Sequence, residues 1–296
     1  MSNADRRSVL TGLAALGLMS CSARDEATAA PTVAPETLDL SALEHERGGR
    51  LGFAARDTGS GRTLAWRAEE RFVYCSTFKM YLAAATLIRV QAGQERLDRQ
   101  IPITSADMIN HAPVTEPAVG STLSVEQLMK ATVEVSDNPA ANLLLKALGG
   151  LEAMRAFYRS IGDTTTRVDR FEPEMNRLDG DKDTIQPLRS VADMQRLFLD
   201  PATPLSEASK AKLLQWMVDA PTGPGRIKAG VPDGWRVAHK TGTGGYGPTN
   251  DIGVIYPPTG APIVLAAYYH AAGDDPANEA VIAQATRLAL KAFGHG

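Results

Sequence analysis

The sequence predicts an α+β fold in which helices flank an antiparallel sheet built from both chain ends, with an all-helical part inserted between them. Strand-like runs occur at 51–56 and 63–66, and they return at 235–243, 251–256 and 262–269. The patterns between these two groups are helical. Because strands and helices are segregated rather than alternating along the chain, their order favours α+β over α/β architecture. A chain of 296 residues is long enough to bury a full core.

The individual elements follow from local patterns. The first helix is predicted to begin near Pro35 and end at Glu46, and a hairpin is predicted around 57–61. The stretch 79–90 is apolar nearly all round, which is typical of a helix buried on every side, and Ser76 lies at its start. A later helix is predicted after the Ser124/Gln127 capping box. The next is predicted to be capped by Asn138, with Pro139 at its first position and Gly149-Gly150 after its end. Further helices are predicted at 151–161, 190–199, 206–218 and 278–293, the last with an apolar stripe of Val281, Ile282, Ala285, Leu288 and Phe293.

These elements divide the chain into parts. An α/β domain is predicted over 37–68 together with 219–296, and an all-helical domain over 69–218. Residues 1–30 are predicted to be an export signal, and 31–36 a linker.

The export signal is predicted from an arginine pair, Arg6-Arg7, followed by an apolar run at 9–19 that is too short to span a bilayer as a helix. The pair leaves a twin-arginine leader open. Two processing routes also stay open: a signal-peptidase site at 27–29, or a lipobox that would lipidate Cys21 and tether the protein to the membrane. We expect an exported, periplasmic monomer, in contact with a membrane only through that anchor.

Composition excludes several classes of function. The formal net charge is -3 and no basic stripe is interleaved with aromatic residues, so nucleic acid is not an expected partner. The histidines lack zinc-ligand spacing, and we expect no metal. The run 242–247 formally fits G-x-G-x-x-G, but a strand rather than a helix follows it, so neither a dinucleotide nor any other cofactor is expected.

The first chemical motif is Ser76-Thr77-Phe78-Lys79. A spacing of three places the Ser76 and Lys79 side chains on one helix face. A serine hydroxyl is a poor nucleophile without an adjacent base or a field that eases the loss of its proton, and Lys79 can serve either role. A backbone N–H at the helix start would also stabilise developing negative charge. Taken alone, this motif is not specific, because Ser-x-x-Lys occurs by chance in most chains and Ser76 could simply be a helix cap.

Two further motifs complete the pattern. In Ser136-Asp137-Asn138, Ser136 could relay a proton and Asn138 could bind a substrate amide, although the same residues favour a helix start. In Lys240-Thr241-Gly242, Lys240 would add positive charge near Ser136, and Thr241 with Thr243 could bind a carboxylate. The glycine would let a flat substrate approach the strand closely.

The order of these three motifs matches the signature of penicillin-interacting serine enzymes. From about residue 41 onward the chain resembles a class A β-lactamase. Further matches are Arg50-Leu51-Gly52, Asp57-Thr58-Gly59-Ser60-Gly61, Pro113-Val114-Thr115-Glu116, Ala140-Ala141-Asn142-Leu143-Leu144-Leu145 and Asp183-Thr184. The resemblance implies the fold shared by serine β-lactamases and penicillin-binding transpeptidases. It implies hydrolysis of penicillins and cephalosporins through a serine acyl-enzyme, with small-molecule β-lactams as partners, and it leaves carbapenems open.

A fourth motif, Glu172-Pro173-Glu174-Met175-Asn176, separates a hydrolase from its relatives. Through the resemblance, Glu172 is the base that activates the water for deacylation, and Asn176 helps to hold that water. Arg170 and Asp183 would form the ion pair that closes the loop, and Pro173 could follow a cis bond. Whether Lys79 or Glu172 deprotonates Ser76 stays open.

The resemblance also assigns the rest of the site. The N–H groups of Ser76 and Thr243 would form the oxyanion hole, Arg226 would help to bind the substrate carboxylate, and His111 would stand at the cleft edge. Two departures are visible. Carbapenemases of this family often pair the cysteine before the nucleophile with one shortly after Lys-Thr-Gly; here Cys75 is present, but the corresponding partner position is Gly244. The loop between 176 and 183 also looks shorter than in many relatives.

Two alternatives remain. A D,D-peptidase would share the first three motifs without the Glu172 loop. A β-lactam sensor would be acylated and stay so.

Overall fold

The computed structural model describes residues 34–295, and the predicted export signal with Cys21 lies outside this range. Its strands are β1 (Glu36–Thr37), β2 (Arg50–Asp57), β3 (Thr63–Trp66), β4 (Phe72–Val73), β5 (Gln100–Pro102), β6 (Thr122–Ser124), β7 (Thr184–Ile185), β8 (Arg236–Thr243), β9 (Pro248–Tyr256) and β10 (Ile263–His270).

The helices are α1 (Ser41–Arg47), α2 (Phe78–Gln91), α3 (Val125–Glu134), α4 (Asn138–Leu148), α5 (Gly150–Ser160), α6 (Pro187–Phe198), α7 (Glu207–Asp219), α8 (Ile227–Gly230) and α9 (Asn278–Phe293). Within the described range, none of them has the length and apolar character needed to cross a bilayer.

The main sheet has six strands in the order β1-β3-β2-β10-β9-β8. Strands from both chain ends meet at its centre, where β2 pairs antiparallel with β10 over eight residues, from Asp57 opposite Ile263 to Arg50 opposite His270. Only the β1–β3 pair in this sheet is parallel. The predicted α+β class and the assembly of the sheet from both chain ends are confirmed.

Both faces of this sheet are buried. Along β10, Val264, Ala266 and Tyr268 point into one apolar cluster with the helices that follow β4. The intervening residues, such as Leu265 and Tyr269, point into a second cluster with α1 and α9. Since strand side chains alternate between faces, a strand covered on both sides reads as a continuous apolar run, which is what 262–269 shows.

Helix α2 runs through the interior, as predicted. Every residue from Phe78 to Leu87 is buried. One of these is Lys79, whose side chain is fully enclosed. Enclosing an ammonium group is costly unless it is paired and hydrogen-bonded, so the position of Lys79 points to a functional requirement.

Three details of the prediction are wrong. The segment near Pro35 is not helical, because Glu36–Thr37 pairs with β3. Helix α1 starts only at Ser41, whose N–H donates to Asp39 Oδ1 at 2.9 Å. Helix α6 begins at Pro187 rather than 190, because proline fits a first helical turn. Leu288 is 38% exposed and does not join the buried stripe of α9.

Candidate active site

The proposed nucleophile lies just ahead of α2, in a short 3-10 turn formed by Cys75–Thr77. The preceding Cys75 has φ +48°, a left-handed conformation that is strained for a non-glycine residue. Thr77 Oγ1 donates to the carbonyl of Tyr74 at 2.8 Å and fixes the turn. Ser76 Oγ then points at a carboxylate, Glu172 Oε1, to which it donates at 3.3 Å.

Lys79 is the hub of the polar contacts. Its Nζ donates to Ser136 O at 2.7 Å, Ser136 Oγ at 3.2 Å and Asn138 Oδ1 at 2.5 Å. The same Nζ lies 3.1 Å from Glu172 Oε1, and both side chains of this ion pair are fully buried. Burial lowers the pKa of Lys79, and the Glu172 carboxylate opposes that shift. The lysine is therefore closer to a neutral base than an exposed lysine is.

The Ser136-Asp137-Asn138 segment serves both structure and site. Ser136 has φ +61°, a strained conformation for a residue with a side chain. Asp137, not Asn138, is the N-cap of α4: its Oδ1 accepts from Ala140 N at 2.9 Å, and Pro139 is the second helical residue. The predicted cap was one residue too late, because the Asn138 amide is turned towards Lys79 instead.

Asp137 also holds the opposite wall of the cleft. Its Oδ2 accepts from the backbone N–H groups of Val114 and Thr115, each at 2.9 Å. On the same wall, Asn138 Nδ2 donates to Asn110 O at 2.9 Å, and His111 Nε2 contacts Val135 O at 2.8 Å. His111 is exposed at the cleft edge.

The Glu172 loop is held from several directions. The Glu172-Pro173 bond is cis. Asn142 on α4 brackets the backbone of Glu172, donating to its carbonyl at 2.9 Å and accepting from its N–H at 3.0 Å. Arg170 Nε donates to Asp183 Oδ2 at 2.6 Å, so the expected loop-closing pair is present. The carboxylate points inward despite the short loop.

Asn176 completes this side of the site. Its Nδ2 donates to Glu172 Oε2 at 2.6 Å. Its Oδ1 is buried and accepts no hydrogen bond from any residue between 34 and 295. Glu172 therefore uses one oxygen towards Ser76 and Lys79, and the other towards Asn176.

Strand β8 forms the remaining wall with Lys240, Thr241 and Thr243. Lys240 is fully buried and donates to Thr241 O at 3.0 Å. Burial, reinforced by the positive charge of Lys79, holds the pKa of Lys240 well below its usual range. The Thr241 hydroxyl is hydrogen-bonded to the Thr222 hydroxyl at 2.8 Å.

Arg226 is buried behind the two threonines. Its guanidinium pairs with Glu279 at 3.1 Å and donates to the carbonyls of Gly242 and Asn250. Its Nη2 donates to Thr243 Oγ1 at 2.8 Å. Most of its donors are thus engaged by the protein, and the contact with Thr243 orients a hydroxyl that faces the cleft.

The glycine of the third motif has a packing role that the sequence did not reveal. A Cβ on Gly242 would lie 2.7 Å from the carbonyl oxygen of Tyr74. This glycine therefore lets β8 pack directly against the turn that carries Ser76. Cys75 in that turn is a free, buried thiol.

The cleft between these walls has a volume of about 620 Å³. Eight predicted site residues line it: Ser76, His111, Ser136, Asn138, Asn176, Arg226, Thr241 and Thr243. Lys79, Glu172 and Lys240 lie fully buried behind this surface. Within the described part of the chain, no cluster of three or more potential metal ligands occurs.

Sequence reasoning missed four residues: Asn110, Thr222 and Tyr246, which line the cleft, and Asn142, which holds Glu172. The only available signal for Asn142 was its position inside the family-like run 140–145, and for Tyr246 its position in the run Tyr246-Gly247-Pro248-Thr249-Asn250-Asp251, which is also similar to members of the family. Asn110 and Thr222 carried none, because their contacts join distant parts of the chain.

The comparisons with known proteins agree with this geometry. Residues 37–293 match the family model described as the β-lactamase enzyme family. The chain is 46% identical to the carbapenem-hydrolysing β-lactamase KPC of Klebsiella oxytoca, over 85% of this chain and 87% of that protein. It is 42% identical to β-lactamase L2 of Stenotrophomonas maltophilia, over 95% and 94%. A solved ancestral class A β-lactamase superposes with a TM-score of 0.83 at 50% identity, over 86% of this chain and 98% of that one.

Proposed function

This chain belongs to the class A β-lactamases, and we propose that it hydrolyses penicillins and cephalosporins through an acyl-enzyme on Ser76. The observation that carries the proposal is the carboxylate of Glu172. One oxygen lies 3.3 Å from Ser76 Oγ and 3.1 Å from Lys79 Nζ, and the other is held by Asn176. A base in this position can activate a water molecule to attack the ester that acylation leaves on Ser76.

In the acylation step, Ser76 Oγ attacks the ring carbonyl and the ring C–N bond breaks. The serine proton passes to Lys79, or to Glu172, and a proton reaches the leaving nitrogen through Ser136. The contact between Lys79 Nζ and Ser136 Oγ, at 3.2 Å, supports this relay. The lowered pKa of Lys79 supports its part in it.

The substrate is positioned by its own charges and amide. The N–H groups of Ser76 and Thr243 hold the oxyanion, and Asn138 binds the acylamino group. Thr241 and Thr243 meet the carboxylate, with Lys240 and Arg226 supplying positive charge behind them. The hydrogen bond from Arg226 to Thr243 supports this assignment, because it orients the threonine hydroxyl.

In the deacylation step, Glu172 takes a proton from water, the resulting hydroxide attacks the ester carbonyl, and the C–Oγ bond breaks as the proton returns to Ser76. The side-chain oxygen of Asn176, Oδ1, accepts no hydrogen bond from the described residues, which suits a group that must accept a hydrogen bond from the water. His111 is proposed to shape the edge of the cleft.

Turnover of nitrocefin tests the proposal. Many product molecules per protein molecule are expected, and Ser76→Ala should abolish both product formation and the covalent adduct detected by intact mass. A single stoichiometric burst would favour a β-lactam sensor instead. Release of D-alanine from peptide substrates, without nitrocefin turnover, would favour a D,D-peptidase.

A panel that includes imipenem tests the range of substrates, since one relative at 46% identity is named for carbapenem hydrolysis. We also propose that the protein is an exported monomer of the periplasm, lipid-anchored if Cys21 is the processed residue. The mass of the mature N-terminus and the elution volume in size-exclusion chromatography test these points.

A further inference from the structure

A buried tyrosine joins the turn that carries the nucleophile to the base of the Glu172 loop. Tyr74 lies two residues before Ser76 and is only 1% exposed. Its hydroxyl donates to Asp183 Oδ1 at 3.2 Å, and its backbone N–H donates to the carbonyl of the same aspartate, also at 3.2 Å. Two hydrogen bonds therefore hold Tyr74 to a residue 109 positions further along the chain.

We propose that Tyr74 is a positioning residue for deacylation: by donating to Asp183, its hydroxyl keeps the Glu172 carboxylate in register with Ser76. The inference rests on the proposed function, because it assumes that Glu172 activates the water that attacks the acylated Ser76.

The backbone around Tyr74 prepares this contact. Strand β4 pairs antiparallel with β7, and Val73 lies opposite Thr184. The hydrogen bond from Tyr74 N to Asp183 O continues this ladder by one residue towards the nucleophile. The last residues of the loop are therefore bonded to the strand that leads into the turn of Ser76.

Tyr74 is also a fixed support. Its carbonyl oxygen accepts from Thr77 Oγ1 at 2.8 Å and from Asn250 Nδ2 at 3.2 Å. Its ring packs against that of Phe78, with 5.8 Å between the centroids. The hydroxyl thus reaches Asp183 from a residue that is held by the nucleophile turn, by β9 and by α2.

Asp183 passes this constraint on to the start of the loop. Its Oδ1 accepts from the Tyr74 hydroxyl and from the N–H groups of Asp169 at 2.8 Å and Arg170 at 3.0 Å. Its Oδ2 accepts from Arg170 Nε at 2.6 Å. Among the described residues, Tyr74 is thus the one donor to this carboxylate from outside the loop. Since Arg170 lies two residues before Glu172, a displaced Asp183 would also displace the base.

Two further features make the tyrosine hydroxyl important to this contact. Asp183 is buried and has φ +54°, a strained conformation for a residue with a side chain, which persists only where the surroundings hold it. Burial, reinforced by the negative charge of Asp183, holds the pKa of Tyr74 well above its usual range. The hydroxyl therefore stays protonated and donates over the whole working pH range.

Tyr74→Phe removes the hydroxyl and keeps the ring. The test is the rate of deacylation of Ser76 in a single turnover of cephalothin, followed by rapid quenching and intact mass well below the unfolding temperature. A hydrogen bond of this kind predicts a fall of roughly 2- to 12-fold in that rate. In an Asp183→Ala background, which lacks the acceptor, adding Tyr74→Phe should cause no further fall.

Tyr158→Phe is the matched control, because Tyr158 is equally buried and its hydroxyl has no hydrogen-bond partner between residues 34 and 295. Its deacylation rate should equal that of the wild type. An unchanged rate in Tyr74→Phe, even with a lowered unfolding temperature, would overturn the proposal, and so would an equal fall with and without Asp183. A wild-type protein that is never acylated, or never released from the acyl-enzyme, would remove the proposed function and this inference together.

Discussion

Replacing Glu172 with glutamine separates the two halves of the reaction. The substitution keeps the shape of the side chain and an oxygen that can accept from Asn176, but it removes the negative charge 3.1 Å from Lys79 Nζ. Lys79 keeps its hydrogen bonds to Ser136 O and Asn138 Oδ1. Without the carboxylate that opposes the effect of burial, the pKa of Lys79 falls further. The lysine can then stay in place as a neutral base.

The expected loss in deacylation follows from the role of Glu172. A positioned general base contributes about 10²- to 10⁴-fold, which corresponds to roughly 3–5 kcal/mol of transition-state stabilisation. If neutral Lys79 deprotonates Ser76, acylation persists and the ester accumulates. If Glu172 performs that step as well, acylation slows by a similar factor. The variant thus decides which base serves acylation.

The assay combines intact mass with steady-state hydrolysis of cephalothin. Glu172→Gln should show a persistent covalent adduct and a kcat reduced by at least about 100-fold. Glu174→Gln is the control, since it neutralises an exposed carboxylate two residues away on the same loop. Normal turnover of Glu172→Gln, with no adduct, would refute the assignment of Glu172 as the hydrolytic base.

Two further predictions concern the dependence on pH of substrate binding and of stability. Because the pKa of Lys240 lies well below its usual range, Lys240 loses its charge early as pH rises, and KM for carboxylate-bearing substrates should therefore increase at alkaline pH. Lys240→Arg should move this increase to higher pH, because an arginine stays charged. The same dependence of KM on pH in both proteins would contradict the proposed role of the Lys240 charge in substrate binding. Burial beside Arg50 lowers the pKa of His270 to about 4, so the unfolded chain binds more protons than the folded one between pH 4 and 6.5. The free energy of unfolding should therefore fall on acidification, by about 2 kcal/mol at pH 5 relative to pH 8, and His270→Gln should reduce this dependence in urea titrations, whereas an unchanged slope would show that other groups cause it.

Local chemistry made much of the site predictable. A spacing of three favours neighbouring side chains in any helical turn, and Ser76 in the 3-10 turn and Lys79 at the start of α2 both contact Glu172 Oε1. The apolar run that follows shows that α2 is buried. In the fourth motif, Glu172 and Asn176 are four residues apart, and Asn176 Nδ2 donates to Glu172 Oε2 at 2.6 Å. Such features need no knowledge of distant segments.

The remainder depends on contacts between distant segments. The role of Asp137 as an anchor for Thr115 joins residues 22 positions apart, and nothing in the Ser136-Asp137-Asn138 motif itself reveals that partner. The engagement of Arg226 with Thr243 and Glu279 joins three separate segments. Leu288 fits the apolar period of its helix, but its side chain is 38% exposed, so periodicity alone placed it wrongly in the core.

The pairing of β2 with β10 also bears on how the protein is made. The Thr58 hydroxyl donates to the carbonyl of Pro262, 204 residues further along the chain. A ribosome must therefore synthesise nearly the whole polypeptide before the centre of the sheet can close, and contacts of such long range form slowly. Until then β2, with Leu51 and Phe53, pairs only with β3 and leaves its other edge unpaired, a species prone to aggregation. A premature stop codon ahead of residue 263 would leave that edge of β2 without β10, so the central strand pair can form only in a chain that has been synthesised through residue 270.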